Sequence, residues 1–193
     1  MYWAVILVSA VALLLKPVEA FAQKEDQHVL RTNALDRALF MTAPFFEGVM
    51  STITPALGNR AGKEKIVRCF QNDGRPVAAD VFGHIINAAL SPDEFTKGSD
   101  LALKPVFLPV VNYAEAHVAE LSAGARSGGA DFVDYLLTTS SSRLNLTELE
   151  QQDVSSFIAW HNSIALKLTK QLSNDYPSIL EKLRAVLVAC ESR

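Results

Sequence analysis

The chain has 193 residues, 49% of them hydrophobic and 20% charged, with 9 Gly, 8 Pro and 2 Cys. That composition suits a globular protein and excludes a disulfide scaffold, a collagen-like rod and wholesale disorder. Lys and Arg number 18 against 21 Asp and Glu, a formal charge of −3, so no basic excess exists to neutralise a run of phosphates and nucleic acid is not an expected partner.

The chain opens on an apolar segment, Ala4 to Leu15, interrupted only by Ser9 and followed by Lys16, Pro17 and then Ala20-Phe21-Ala22. A hydrophobic stretch before a small-x-small site reads as a signal peptide over residues 1–22, with Gln23 as the new terminus. The alternative is an uncleaved anchor; Met1 to Leu15 falls short of the roughly 20 residues that cross a bilayer, although Met1-Tyr2-Trp3 lacks Lys and Arg. The expectation is an exported chain, periplasmic or secreted, with no stable membrane anchoring after cleavage. Residues 23–193 then form one all-helical domain, long enough to bury a core without metal. An exported chain with Cys69 and Cys190 as its two cysteines is a candidate for a Cys69–Cys190 disulfide, against the alternative of two buried thiols.

The elements that follow read as helices. Asn33 is a plausible N-cap for a segment through Met41, and Pro44 opens another that ends before Pro55. Gly62 to Asn72 carries Ile66, Val67, Cys69 and Phe70 and stops at Asp73-Gly74. Pro76 opens an amphipathic stretch in which Val77, Val81, Ile85 and Ala89 recur every four residues. Ser91-Pro92-Asp93-Glu94 is a capping box with Pro at the first helical position. Val106 to Val111 has the composition of a buried strand or a helix start; Pro109 and the helical character of Ala114 to Leu121 favour helix. Gly124 to Gly129 reads as a loop, Ala130 to Leu137 as a short helix and Thr138 to Ser142 as an exposed polar loop.

Thr147 and Glu150 form a second capping box, after which Val154, Phe157, Ile158, His161, Ile164 and Leu168 share one helical face. A stop at Asn174 to Pro177 and a final helix from Pro177 to Cys190 predict an antiparallel hairpin. The fold class is all-α: a single-domain bundle of about 6–8 helices ending in a helical hairpin.

Leu146-Thr147-Glu148-Leu149-Glu150, leading into Phe157 and later Tyr176-Pro177-Ser178, resembles a family of exported bacterial helical proteins of unknown function. In that family a Thr/Ser-x-x-Glu-Leu helix start precedes an apolar-aromatic helix and a proline-opened final helix. The chain departs from it at Trp160-His161-Asn162, where a small-residue step with Gly is usual. The resemblance covers about residues 146–187 and implies export and helicity, with no catalytic residues to carry over.

Candidate chemistry is sparse. Gly58-Asn59-Arg60-Ala61-Gly62-Lys63-Glu64 is one residue short of a phosphate-binding loop and has Glu64 where Ser or Thr must hold magnesium, so a surface loop before a helix is the better reading. Asp80 and His84, four apart, and His117 and Glu120, three apart, are candidate metal ligands if two helices bring the pairs together. His161 sits on an apolar face and reads as a hydrogen-bonded core residue. There is no nucleophile elbow and no S-x-x-K, and the acidic residues cluster at helix starts, where the helix dipole accounts for them. Asn145-Leu146-Thr147 is a glycosylation sequon in a eukaryotic setting only. No cofactor is expected. The reading is an exported, non-enzymatic helical protein with a protein partner, an inhibitor or immunity protein among the possibilities. Its contact surface is expected first at Gly124 to Ser142 and second on the exposed face of Thr147 to Ser173. The alternative is a small exported enzyme with a His/carboxylate site, metal-dependent or not.

Overall fold

Apolar residues at three- and four-residue spacing run through nearly the whole chain, and in the computed structural model they fold as helices. Residues 26–59, 62–117, 120–121 and 132–193 are described; the expected signal segment, Gln23 and the Gly124–Gly129 loop lie outside them. The elements are α1 (26–38), α2 (Thr42–Ala56), α3 (Lys63–Ala89), α4 (Pro92–Ala102), α5 (Phe107–Ala116), α6 (Phe132–Arg143) and α7 (Glu148–Glu191). Among the described residues there is no strand, and the protein is an all-α bundle, as its periodicity predicts.

Two long helices organise it. At about 1.5 Å per residue, α3 spans about 40 Å and α7 about 66 Å. They run antiparallel, because Cys69 near the start of α3 meets Cys190 at the end of α7 with Cα atoms 5.7 Å apart and a disulfide between them. Along this pair sit two apolar clusters. The first gathers Leu35 of α1, Ile86 of α3, Phe107 and Val110 of α5, Leu136 and Leu137 of α6, and Phe157 and Ile164 of α7. The second gathers Phe46 and Met50 of α2, Phe70 and Phe82 of α3, and Ile179 and Leu183 of α7. Burial of this many large side chains is what makes these helices stable, since isolated helices of such composition are marginal in water.

Both predicted capping boxes form. The Ser91 amide donates to Glu94 Oε2 at 2.9 Å and the Glu94 amide donates to Ser91 Oγ at 3.4 Å; the Thr147 amide donates to Glu150 Oε2 at 2.8 Å and the Glu150 amide to Thr147 Oγ1 at 3.3 Å. Each satisfies backbone donors that the first helical turn leaves without partners.

The predicted breaks fare differently. The stop at Asn174–Pro177 does not occur: α7 runs unbroken for 44 residues with Pro177 inside it. The terminal hairpin is instead α6–α7, turning at 144–147, with Asp134 at the start of α6 facing His161 and Asn162 of α7. Likewise α3 runs through Asp73-Gly74 and Pro76. Each proline forfeits one backbone bond, to Asn72 and to Ser173 respectively. Both of those residues are exposed, so water can satisfy the freed carbonyls while packing holds the helix on either side. Gly74 is small for a reason other than a stop: a Cβ there would lie 3.1 Å from the Phe46 ring. Asn33 is inside α1 rather than its cap. Thr138 to Ser142 is helical, with Ser140 fully buried and Ser141 and Ser142 donating to the carbonyls of Leu137 and Thr139, a back-bonding that lets serines sit within a helix.

Candidate functional site

The residues singled out from sequence do not converge. Asp80 and His84 are exposed on α3. His117 caps the end of α5, where its Nδ1 lies 2.9 Å from the Tyr113 carbonyl and its ring stacks on Tyr113. Glu120 is exposed beyond it. Among the described residues the one trio of His, Cys, Asp or Glu whose ligand atoms approach within 4.8 Å is Cys69, Asp73 and Cys190, and its two sulfurs are bonded to each other. Asp73 there accepts a hydrogen bond from Arg193 at 2.9 Å. His161 is 5% exposed, with Nδ1 3.3 Å from Asp134 Oδ1, the paired core histidine that its apolar face predicts. The glycines at 58 and 62 both adopt positive φ, and α3 begins directly after Gly62.

Of the pockets among the described residues, two bear on binding. The first is a polar cavity of about 470 Å³ at the corner between α1 and α2, lined in part by Asp36, Arg37, Phe40, Thr42, Arg75 and Glu115. Its geometry follows from how α1 ends. The Met41 amide bonds to the Asp36 carbonyl and the Phe40 amide to the Arg37 carbonyl, the paired closure of a helix whose following residue is left-handed, ordinarily a glycine. Here that residue is Phe40, at φ 51, a conformation that a bulky side chain adopts only at a cost. Its ring is buried in the first cluster, which compensates for the backbone. The tight corner brings Asp36 onto the start of α2, where its Oδ1 accepts from the Thr42 amide at 3.0 Å and the Thr42 hydroxyl at 2.9 Å. Burial pushes the Asp36 carboxyl above its ordinary value and the nearby charge of Glu115 adds to this, against the Thr42 bonds and Arg75. Arg37 is occupied by Glu115, at 2.8 and 3.3 Å, and by Asn112 at 2.9 Å.

The second place is an apolar groove of about 510 Å³ between α2 and the C-terminal half of α7. Phe45, Val49 and Ile53 line it from α2, and Tyr176, Leu180 and Leu187 from α7, with Arg184 as its one charged wall residue among the described residues. Tyr176 and Leu180 are 46% and 42% exposed, far above the level of a core side chain.

Neither place was visible in the sequence. The cavity joins residues 36, 75 and 115, and nothing in their spacing links them. The groove depends on α7 passing straight through Pro177, since a hairpin there would have turned Leu180 and Leu187 onto the first half of the same helix. Comparison with protein-family models, with curated proteins and with solved structures finds no match to this chain.

Proposed function

We propose that this is an exported, non-enzymatic helical protein that binds another protein through the α2–α7 groove. The observation that carries the reading is the groove itself, a concave apolar strip between two helices with a single charge at its edge. Such a strip matches the apolar face of an amphipathic helix, whose anchors recur at three- and four-residue spacing. Arg184 is exposed and makes no ion pair among the described residues, so an acidic residue beside the apolar anchors of the partner would complete the contact. An inhibitor or immunity protein would use such a surface. Export rests on the apolar opening and its Ala20-Phe21-Ala22 site, and a disulfide is in keeping with an oxidising compartment. Among the described residues no helix is long and apolar enough to cross a membrane.

The test is paired capture from the exported fraction with wild-type protein and with Leu180→Glu and Arg184→Glu. The expected result is one partner in stoichiometric amount on the wild type, lost on Leu180→Glu and weakened about tenfold on Arg184→Glu, with helicity unchanged in both variants. Equal capture by all three overturns the groove as the contact surface. Hydrolytic activity that disappears in both His84→Ala and His117→Ala, with folding intact, replaces the reading with the enzyme. Intact-mass analysis checks export separately: the exported chain should begin at Gln23, and retention of residues 1–22 would refute that.

A further inference from the structure

The corner cavity holds charges that the fold leaves half used. Asp36 spends Oδ1 on Thr42, and Oδ2 receives no hydrogen bond from the described residues. Arg75, from α3, lines the same cavity and makes no hydrogen bond or ion pair among the described residues. By contrast, Arg37 and Glu115 neutralise each other in a two-bond pair, so they form a closed rim. What remains open is one carboxylate oxygen and one guanidinium, beside the apolar surfaces of Phe40, Ala43 and Ala79.

From this juxtaposition we infer that the cavity binds a small aliphatic amino acid, with its ammonium on Asp36, its carboxylate on Arg75 and its side chain against Phe40, Ala43 and Ala79. A carboxylate drawn partly out of water with one oxygen lacking a donor is under-satisfied, and an ammonium supplies both the donors and the opposite charge. The planar guanidinium suits a carboxylate through two parallel bonds. The volume, about 470 Å³, lies within the range of small-molecule pockets. The left-handed Phe40 serves the site: it keeps Asp36 and the start of α2 facing one space without any ligand present, so little ordering remains to be done on binding. The site lies apart from the α2–α7 groove, and the inference stands whether or not a protein docks there.

Isothermal titration of the protein with L-valine, 4-aminobutyrate, methylammonium and acetate tests it. The α- and ω-amino acids distinguish a short from a long separation of the two charges. One of them should bind saturably with unit stoichiometry, and methylammonium and acetate should each bind at least about tenfold more weakly, since each satisfies one charge only. Asp36→Asn and Arg75→Gln should each weaken binding by about tenfold or more. Ala79→Leu, which fills the space while leaving both charges in place, should abolish it. Arg75 is exposed and bonds to nothing described, so Arg75→Gln tests the site even if Asp36→Asn disturbs the corner. Absence of binding by both amino acids at about 10 mM, a weaker limit than the millimolar affinities worth about 4 kcal/mol, overturns the inference. So does methylammonium binding as tightly as the amino acids, or affinity unmoved by Arg75→Gln and Ala79→Leu.

Discussion

Gly98 has no room for a methyl group. A Cβ there would stand 2.1 Å from Cζ2 of Trp160, and the indole is held in place by its own Nε1–H donating to the Glu94 carbonyl at 3.1 Å. Gly98→Ala should therefore cost about 1–3 kcal/mol or more through overpacking, despite the better helix propensity of Ala; urea denaturation measures it, and an unchanged midpoint refutes the close packing. Beside this contact, Lys167 at 2.5 Å, with the Ser91 amide and hydroxyl, holds Glu94 down to about 2 from an ordinary 4.5. A depressed carboxylate stabilises the fold above its unfolded value and loses that contribution as pH falls through the folded one. The stability difference between the wild type and Glu94→Gln should accordingly be full above pH 4.5 and vanish near pH 2; a difference independent of pH counts against the pairing. Asp36 has the opposite sign. Its folded value is raised above 3.8, so the native state takes up a proton in the window above 3.8 and this group's contribution grows as pH falls through it. Asp36→Asn keeps an acceptor for Thr42 without the partly buried charge, and should match or exceed the wild type in stability at neutral pH. Its advantage should shrink on acidification, and a large loss at neutral pH would contradict the desolvation account.

Elements were legible where their signal was local. The capping boxes at Ser91 and Thr147 needed only four residues each, and both form as expected. The apolar face from Val77 to Leu90 was equally plain, because its period survives whatever the chain does on either side. Breaks are not legible in the same way, because a breaker competes against packing that the sequence does not display. Asp73-Gly74-Arg75-Pro76 has the composition of a turn, yet Phe70 and Ala78 on its two sides are both fully buried in the second cluster. Pro177 is overridden in the same way by Leu168 before it and Ile179 after it. These prolines still forfeit bonds, so Pro177→Ala should raise stability by about 1–3 kcal/mol, seen as a higher midpoint with unchanged helicity at the plateau. A lower midpoint would show that the proline serves α7 in some other way.

At the scale of the molecule, the second cluster depends on α2 and the two ends that the Cys69–Cys190 bond joins. Closing a separation of 121 residues contributes on the order of 4–5 kcal/mol in the chain-entropy model. Reduction should lower the thermal midpoint, and hydrogen exchange should rise in α2 and after Ile179 before it rises around Phe157. Uniform loosening would mean that the two clusters do not open separately. The bond itself was readable from an even cysteine count in a chain expected to be exported. The cavity and the groove were not, since each arises only when helices far apart in sequence lie side by side.

The unbroken α7 also has a mechanical consequence. A rod of about 66 Å turned by about 3° about its middle moves each end by nearly 2 Å, and the groove and Trp160 lie on opposite sides of that middle. The chain has 2 Trp, one of them at position 3 within the expected signal peptide. In the exported form Trp160 would thus be the lone indole fluorophore, wedged against Gly98, and if occupancy of the groove tilts α7, its emission would report the tilt without any label.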